Sequence, residues 1–382
     1  MKPSLFLGAD THKDLSQLLA AKRRLVLSGA SNETAKALLT GSILDHKPQS
    51  ALFVTEDDST HEAVQHWLDF FEQDCAPLHV IEDEDEIDPE ALQNFLLFMK
   101  QVEQKVFVCP REVWDTEFPL YTELQEKKIT LTKGQQINFT AVIEELIERG
   151  YSHGEDLYLH PGEYRRTGDV FDIFPIQSDV PYRIPMEFDT VEKIMTINPE
   201  DFSETEDAGG SVDIFPVVYE HTAPLIEQFP KDTLLILDDQ DDIEFPMNVS
   251  CLRFTPFPES DEFHVHLRYL SVLKFYTLTD FLNDVRDKLQ QDWTLFVVSK
   301  RLEELQGILE EENVPHTTKA ESRPGAITLV HAEEDHLLPH SLQNPDLQCA
   351  LLTDREIFSL RKAGKQRGVQ KLALDFITSL VP

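Results

Sequence analysis

The sequence predicts an α/β protein in which a parallel-sheet domain is interrupted by a β-rich α+β insertion and followed by a further α/β domain. Three observations carry this. Between residues 24 and 110, short apolar strands alternate with helical patterns. From about residue 126 to 199 helices nearly vanish, and glycine and proline corners separate short strands. After residue 271 the strand–helix alternation resumes. The expected domains are 1–126, 127–211, 212–270 as the return segment of the first, and 271–382. Strands separated by helices of this length imply βαβ crossovers and a parallel sheet.

In the first domain, residues 24–27 (RLVL) read as a buried strand, 32–44 as a helix with Ser31 as N-cap, 51–54 (ALFV) as a strand and 59–71 as a helix. Strands at 78–81 and 105–108 flank a helix at 89–102, where Asp88 precedes a proline at the first helical position. A strand at 128–132 opens the insertion, and an amphipathic helix at 138–149 ends at Gly150. Strands follow at 156–160, 163–166, 169–174, 182–188 and 193–197, with turns at Pro161-Gly162, Thr167-Gly168 and Asn198-Pro199. Residues 201–210 are polar and end in Gly-Gly, so an exit loop is expected. Beyond it, 233–239 is a strand ending in two acids. A helix at 280–290 with Thr279 as N-cap, a strand at 294–298, a helix at 301–312 and strands at 326–330 and 349–353 complete the reading. The acidic run 82–86 reads as a solvated loop.

Composition excludes several functions. The 382 residues include 34 Lys and Arg against 70 Asp and Glu, a formal net charge of −36. So acidic a surface repels a polyanion, which excludes broad, nonspecific phosphate binding. Cys75, Cys109, Cys251 and Cys349 form no CxxC pair, so neither a zinc ribbon nor a disulfide framework is indicated. The start lacks a long apolar stretch, and no run reaches the ~18 apolar residues of a membrane span. A soluble cytoplasmic protein with no membrane partner is expected.

The first strand–turn–helix is where a doubly wound domain places a phosphate loop. Counted from Gly29, such a loop needs Gly, Lys and Ser/Thr where this chain has Thr34, Ala35 and Lys36. The loop is therefore read as degenerate, and Asp238-Asp239, which imitates a Mg²⁺-binding pair, as a solvated strand end. His264 with His266, and His331 with His336 and His340, lack the spacing of a metal site, so no metal is expected. Residues 161–199 are more specific. Period-2 geometry places Arg183, Pro185 and Glu187 on one strand face, opposite Tyr182, Ile184 and Met186. Beside Arg165 or Arg166, that first face could offer forked guanidiniums to a partner's carboxylates. Judged on these residues alone, local pairing with Glu163 or Asp172 is the simpler reading.

The run GEYRRTGDVFDIFP, continued by PYRIPMEFDTVEKIMTINP, closely resembles the second domain of the Mfd transcription-repair coupling factors and the related domain of UvrB. ITLTKGQQINFTAVIEELIERGY fits the lead-in to that domain, and ALLTDREIFSLRKAGKQRG resembles the Mfd segment before the polymerase-interacting module. The resemblance implies a UvrB-like, degenerate P-loop-NTPase-like fold without ATPase activity. Its insertion recruits UvrA for nucleotide excision repair at stalled RNA polymerase. RNA polymerase, DNA and ATP belong to downstream domains whose motor motifs are absent from this chain, so no cofactor is implied here.

Carried over by position, Arg183 matches a family arginine used on UvrA. A second family arginine falls on Thr167, with Arg165 and Arg166 displaced by two places and one. A two-place displacement keeps the strand face, which makes Arg165 the implied substitute. The family aromatic falls on Glu187, with Phe188 adjacent, and Tyr182 flanks the face. The rival expectations are an active UvrB-like, ATP-dependent repair subunit and a DNA-binding module. The latter would use a basic C-terminal helix with Arg361, Lys362, Lys365, Arg367 and Lys371.

Overall fold

The computed structural model describes residues 15–358 apart from 16, 22–23, 57, 78–88, 100–105, 156–157, 200–202, 241, 260–262, 320–324, 333–337 and 339. The strand expected at 78–81, the acidic run 82–86, His336 and the basic segment from Arg361 lie outside these residues. The chain divides into two units, Met1–Cys75 with Leu234–Pro382, and Ala76–Thr233. Among the described residues no helix is long and apolar enough to cross a membrane.

In the first unit, strand Arg24–Ala30 lies between Ser250–Phe254 and His264–Ser271, parallel to both. Leu234–Asp238 runs parallel between Ser250–Phe254 and Ala51–Thr55. Ala51–Thr55 and Leu234–Asp238 are buried at every position, and residues 51–54 and 234–237 within them read as unbroken apolar runs. Helices Glu33–His46 and Asp58–Phe70 follow the first two strands. Thr294–Ser299 lies parallel between Ile327–His331 and Cys349–Thr353, with its own core of Phe281, Val285, Leu295, Val297, Leu305 and Leu309. The two halves of this unit share one sheet. Strand Leu342–Asn344 joins them, pairing antiparallel with both His264–Ser271 and Cys349–Thr353.

Helix starts differ from expectation by a residue or two. Asn32, not Ser31, caps Glu33–His46, accepting from the Ala35 N–H. Thr277, not Thr279, caps Leu278–Gln290, because Asp280 returns the bond to the Thr277 N–H in a reciprocal capping box.

In the second unit, Ile129–Thr132 pairs antiparallel with Ser211–Ile214. Helix Phe139–Glu148 is capped by Asn138 and packs its apolar face on a core containing Leu131, Tyr164, Phe171, Ile173, Ile184 and Ile214. The central sheet runs Glu204–Asp207, Met195–Ile197, Tyr182–Glu187, Val170–Phe174, Glu163–Thr167 and Ser152–His153. Two expectations fail here. Part of the expected exit loop is strand Glu204–Asp207, paired with Met195–Ile197. All four of its residues are exposed, so it carries no apolar alternation, and its charges blunt the sheet edge. The described part of the expected strand 156–160 is irregular. There the Glu163 N–H bonds the His160 carbonyl at 3.0 Å, and Gly162 takes φ +85° at the corner.

Candidate functional site

Two places have the makings of a site: the degenerate loop of the first unit and the central sheet of the second. At the loop, Gly29 adopts φ +80°, and a Cβ there would lie 1.6 Å from the Leu267 carbonyl oxygen. This glycine thus serves close approach to strand His264–Ser271. Several of the loop's donors are met within the chain. The Ser31 N–H donates to the Tyr269 carbonyl (3.2 Å), Asn32 Nδ2 to the Ser341 carbonyl (3.0 Å) and Thr34 Oγ1 to the His340 carbonyl (2.6 Å). Ala35 supplies only its amide, which the Asn32 side chain accepts.

Lys36 donates to Asp238 Oδ1. Asp238 is 3% exposed, so the solvated strand end expected from the sequence is instead a buried ion pair. The strand is buried at every position, which leaves the carboxylate little access to water. Burial pushes the Asp238 carboxyl above its ordinary range, and Lys36 opposes that rise. Asp239 accepts from Thr255 Oγ1 at 3.1 Å.

In the second unit, register decides which arginine faces an acid. Asp172 lies opposite Arg165 on one side and Arg183 on the other. Arg183 grips it with both arms, Nε to Oδ1 and Nη2 to Oδ2, each at 2.9 Å. Asp172 is 8% exposed. Arg165 and Thr167 share that face. Tyr182 lies on the other, packed against the core, and its hydroxyl accepts from Ser178 Oγ at 3.4 Å.

Arg166 also points to the other face. Its guanidinium sits 4.2 Å from the Phe139 ring centroid, and Nε donates to the Gly168 carbonyl at 3.0 Å. Phe139 in turn meets Phe171 edge-on at 5.2 Å. Beside this stack, Glu187 pairs with Thr190 across a two-residue turn, Phe188-Asp189, with φ +49° and +58°. Such a turn favours Asn and Gly, because both central residues need positive φ. Phe188 is nonetheless 91% exposed. Phe139, Arg166, Val170, Met186 and the turn enclose a groove of about 270 Å³, flanked by Asp169, Glu187 and Asp189. Phe139, Val170 and Met186 were not among the expected site residues; the amphipathic helix was the sequence signal for Phe139, and strand periodicity that for Val170 and Met186.

His266 Nδ1 is bonded to Ser28 Oγ at 2.9 Å, and His340 Nδ1 lies 3.6 Å from Glu33. Neither histidine group gathers three ligands among the described residues. The group that does is Glu123, Glu220 and His221. Its charge is already met by Lys127, 2.7 Å from Glu123 and 2.9 Å from Glu220. The Lys127 bond, with further help from His221 and the Glu220 N–H, lowers the Glu123 carboxyl to about 2 despite its burial. A carboxyl lowered on folding stabilises the fold above its unfolded value and loses that contribution as pH falls through its folded value. Glu123→Gln should therefore destabilise the chain by about 1–2 kcal/mol at neutral pH. The difference from the parent should close as pH falls from about 4.5 towards 2, read by urea unfolding across that range.

Residues 129–218 match the family model described as the UvrB interaction domain, a span that holds the helix, the sheet and the groove. Curated relatives agree. The UvrABC system protein B of Cytophaga hutchinsonii is 37% identical over 78 residues, 20% of this chain and 11% of that protein. Its counterpart from Thermus thermophilus is 27% identical over 110 residues, 29% of this chain and 16% of that protein. The transcription-repair-coupling factor of Escherichia coli is 32% identical over 66 residues, 17% of this chain and 6% of that protein. The matched segments thus span between about a sixteenth and a sixth of these relatives' length.

Proposed function

We propose that this chain is a non-catalytic recruiting module of the transcription-repair coupling type, which binds UvrA in nucleotide excision repair. The observation that carries the reading is the match of residues 129–218 to the UvrB interaction domain. That span contains an exposed aromatic turn beside an arginine stacked on a ring, the kind of anchor that protein interfaces use. The loop geometry supports the non-catalytic part. Lys36, Asn32 and Thr34 serve the chain's own acceptors, and a degenerate P-loop-like ancestry accounts for their position. The similarity to the Escherichia coli transcription-repair-coupling factor is compatible with the coupling type, and Thr34, Ala35 and Lys36 in place of a phosphate-binding Gly, Lys and Ser/Thr argue against an ATP-using UvrB. RNA polymerase, DNA and ATP are then handled by other parts of a complete factor, in the cytoplasm.

Calorimetric titration of the full chain into its cognate UvrA should give saturable one-to-one binding. The chain alone should release no phosphate from ATP above background. Absence of binding, or turnover by the chain, overturns the proposal.

A further inference from the structure

We infer that Asp172 is a positioning residue for UvrA binding: by gripping Arg183 along one edge, it sets the direction in which that guanidinium meets the partner. This deepens the reading above and rests on it.

The sheet register carries the first argument. Arg165, Asp172 and Arg183 form one row across adjacent strands, on one face of the sheet. Side chains directly opposite on neighbouring strands start about 5 Å apart. The acid thus stands between two like charges and weakens their repulsion, which lets both arginines occupy one face. It also lies deeper than the arginine it holds, 8% exposed against 24%. A buried carboxylate retains its counter-charge, because leaving it unpaired is strongly unfavourable.

The second argument concerns the grip. Arg183 Nε and Nη2 each donate to a different oxygen of Asp172, both at 2.9 Å. A fork of this kind fixes the plane of the guanidinium as well as its position. An arginine side chain has many rotamers, and arresting them at an interface weakens association. Here Asp172 arrests Arg183 when the chain folds, before any partner arrives. The bonds use the Nε edge of the guanidinium, so the Nη1 end points away from the acid. A partner carboxylate that meets the Nη1 end leaves both Asp172 bonds in place, and the buried acid keeps its counter-charge throughout.

Asp172 itself offers a partner almost no surface at 8% exposure. Its effect on binding therefore passes through Arg183, and the two residues act as a unit. An acid that served the sheet alone would behave differently: its loss would lower stability and leave the affinity of the folded chain unchanged.

The test is calorimetric titration of cognate UvrA with the full-length parent, Asp172→Asn, Arg183→Ala and the double variant, each well below its own melting temperature. Asparagine keeps the shape of the acid and one acceptor, but it cannot hold both arms of the fork. Asp172→Asn should weaken binding about fivefold, the scale of one arginine left to be ordered on binding. Added to Arg183→Ala, it should change binding less than about twofold, because the group it positions is gone. Asp172→Glu returns a carboxylate to the row and should recover most of the loss. A second measurement needs no variant that might fail to fold at this position. The Arg183 Nε–H resonance of the parent, assigned by its absence from Arg183→Ala, should exchange slowly with water and persist in the complex. Release of that proton on UvrA binding, equal or tighter binding by Asp172→Asn, or losses that add in the double variant each overturn the inference and leave UvrA recruitment standing. A parent chain that does not bind UvrA overturns both.

Discussion

Lys36→Met is expected to destabilise the chain by about 3 kcal/mol, the scale for removing one partner of a buried ion pair. Asp238 is 3% exposed, and its second carboxylate oxygen is buried without a hydrogen bond. Lys36 is thus the counter-charge that makes an ionised Asp238 tolerable. Without it the carboxyl rises further above its ordinary range. A carboxyl raised on folding favours the fold below its unfolded value and loses that contribution as pH climbs through the folded value. The deficit of Lys36→Met should therefore be largest near neutrality and shrink as the buffer is acidified. Lys36→Met combined with Asp238→Leu should recover most of the loss, because an apolar pair carries no desolvation cost. Urea unfolding of the two single variants and the double variant gives the coupling between the sites. A Lys36→Met chain as stable as its parent at neutral pH removes the pair from the account. UvrA binding should be unchanged in all three.

Arg183→Ala is expected to lower stability by about 2–3 kcal/mol, somewhat less than for a fully enclosed pair. Arg183 is 24% exposed and Asp172 8%, so the acid bears most of the consequence. Arg183→Glu should be worse, since it sets two carboxylates side by side. Asp172→Ala together with Arg183→Ala should restore part of the loss. This result bears on function as well as fold, because the family resemblance assigns Arg183 to the partner. At a temperature where Arg183→Ala remains folded, its UvrA affinity should fall about tenfold or more, the scale of an interface anchor. Thermal unfolding followed by titration separates the two effects. Unchanged binding by the folded variant removes Arg183 from the interface.

Much of the architecture was readable in advance, and for local reasons. Residues 51–54 and 234–237 are unbroken apolar runs, and such runs become strands buried on both faces. The helix at 139–148 announced itself by its apolar period and by the glycine that stops it, Gly150. Boundaries were less secure, because several Ser, Thr and Asn residues compete to cap a helix. Thr277 prevails over Thr279 only through its exchange with Asp280. Strand Glu204–Asp207 was invisible because an edge strand with all residues exposed has no apolar alternation to read.

The candidate site divides in the same way. The sequence determined that arginines, an aromatic residue and tight corners cluster within residues 161–199, and that Thr34, Ala35 and Lys36 depart from a phosphate-binding loop. It did not determine which guanidinium is held by an acid. Arg183 and Asp172 are 11 residues apart, and Lys36 and Asp238 are 202 apart. Local periodicity fixes which face of its own strand a side chain takes. Only the register between strands decides which charge lies across from it, and so which arginine is held in place by an acid.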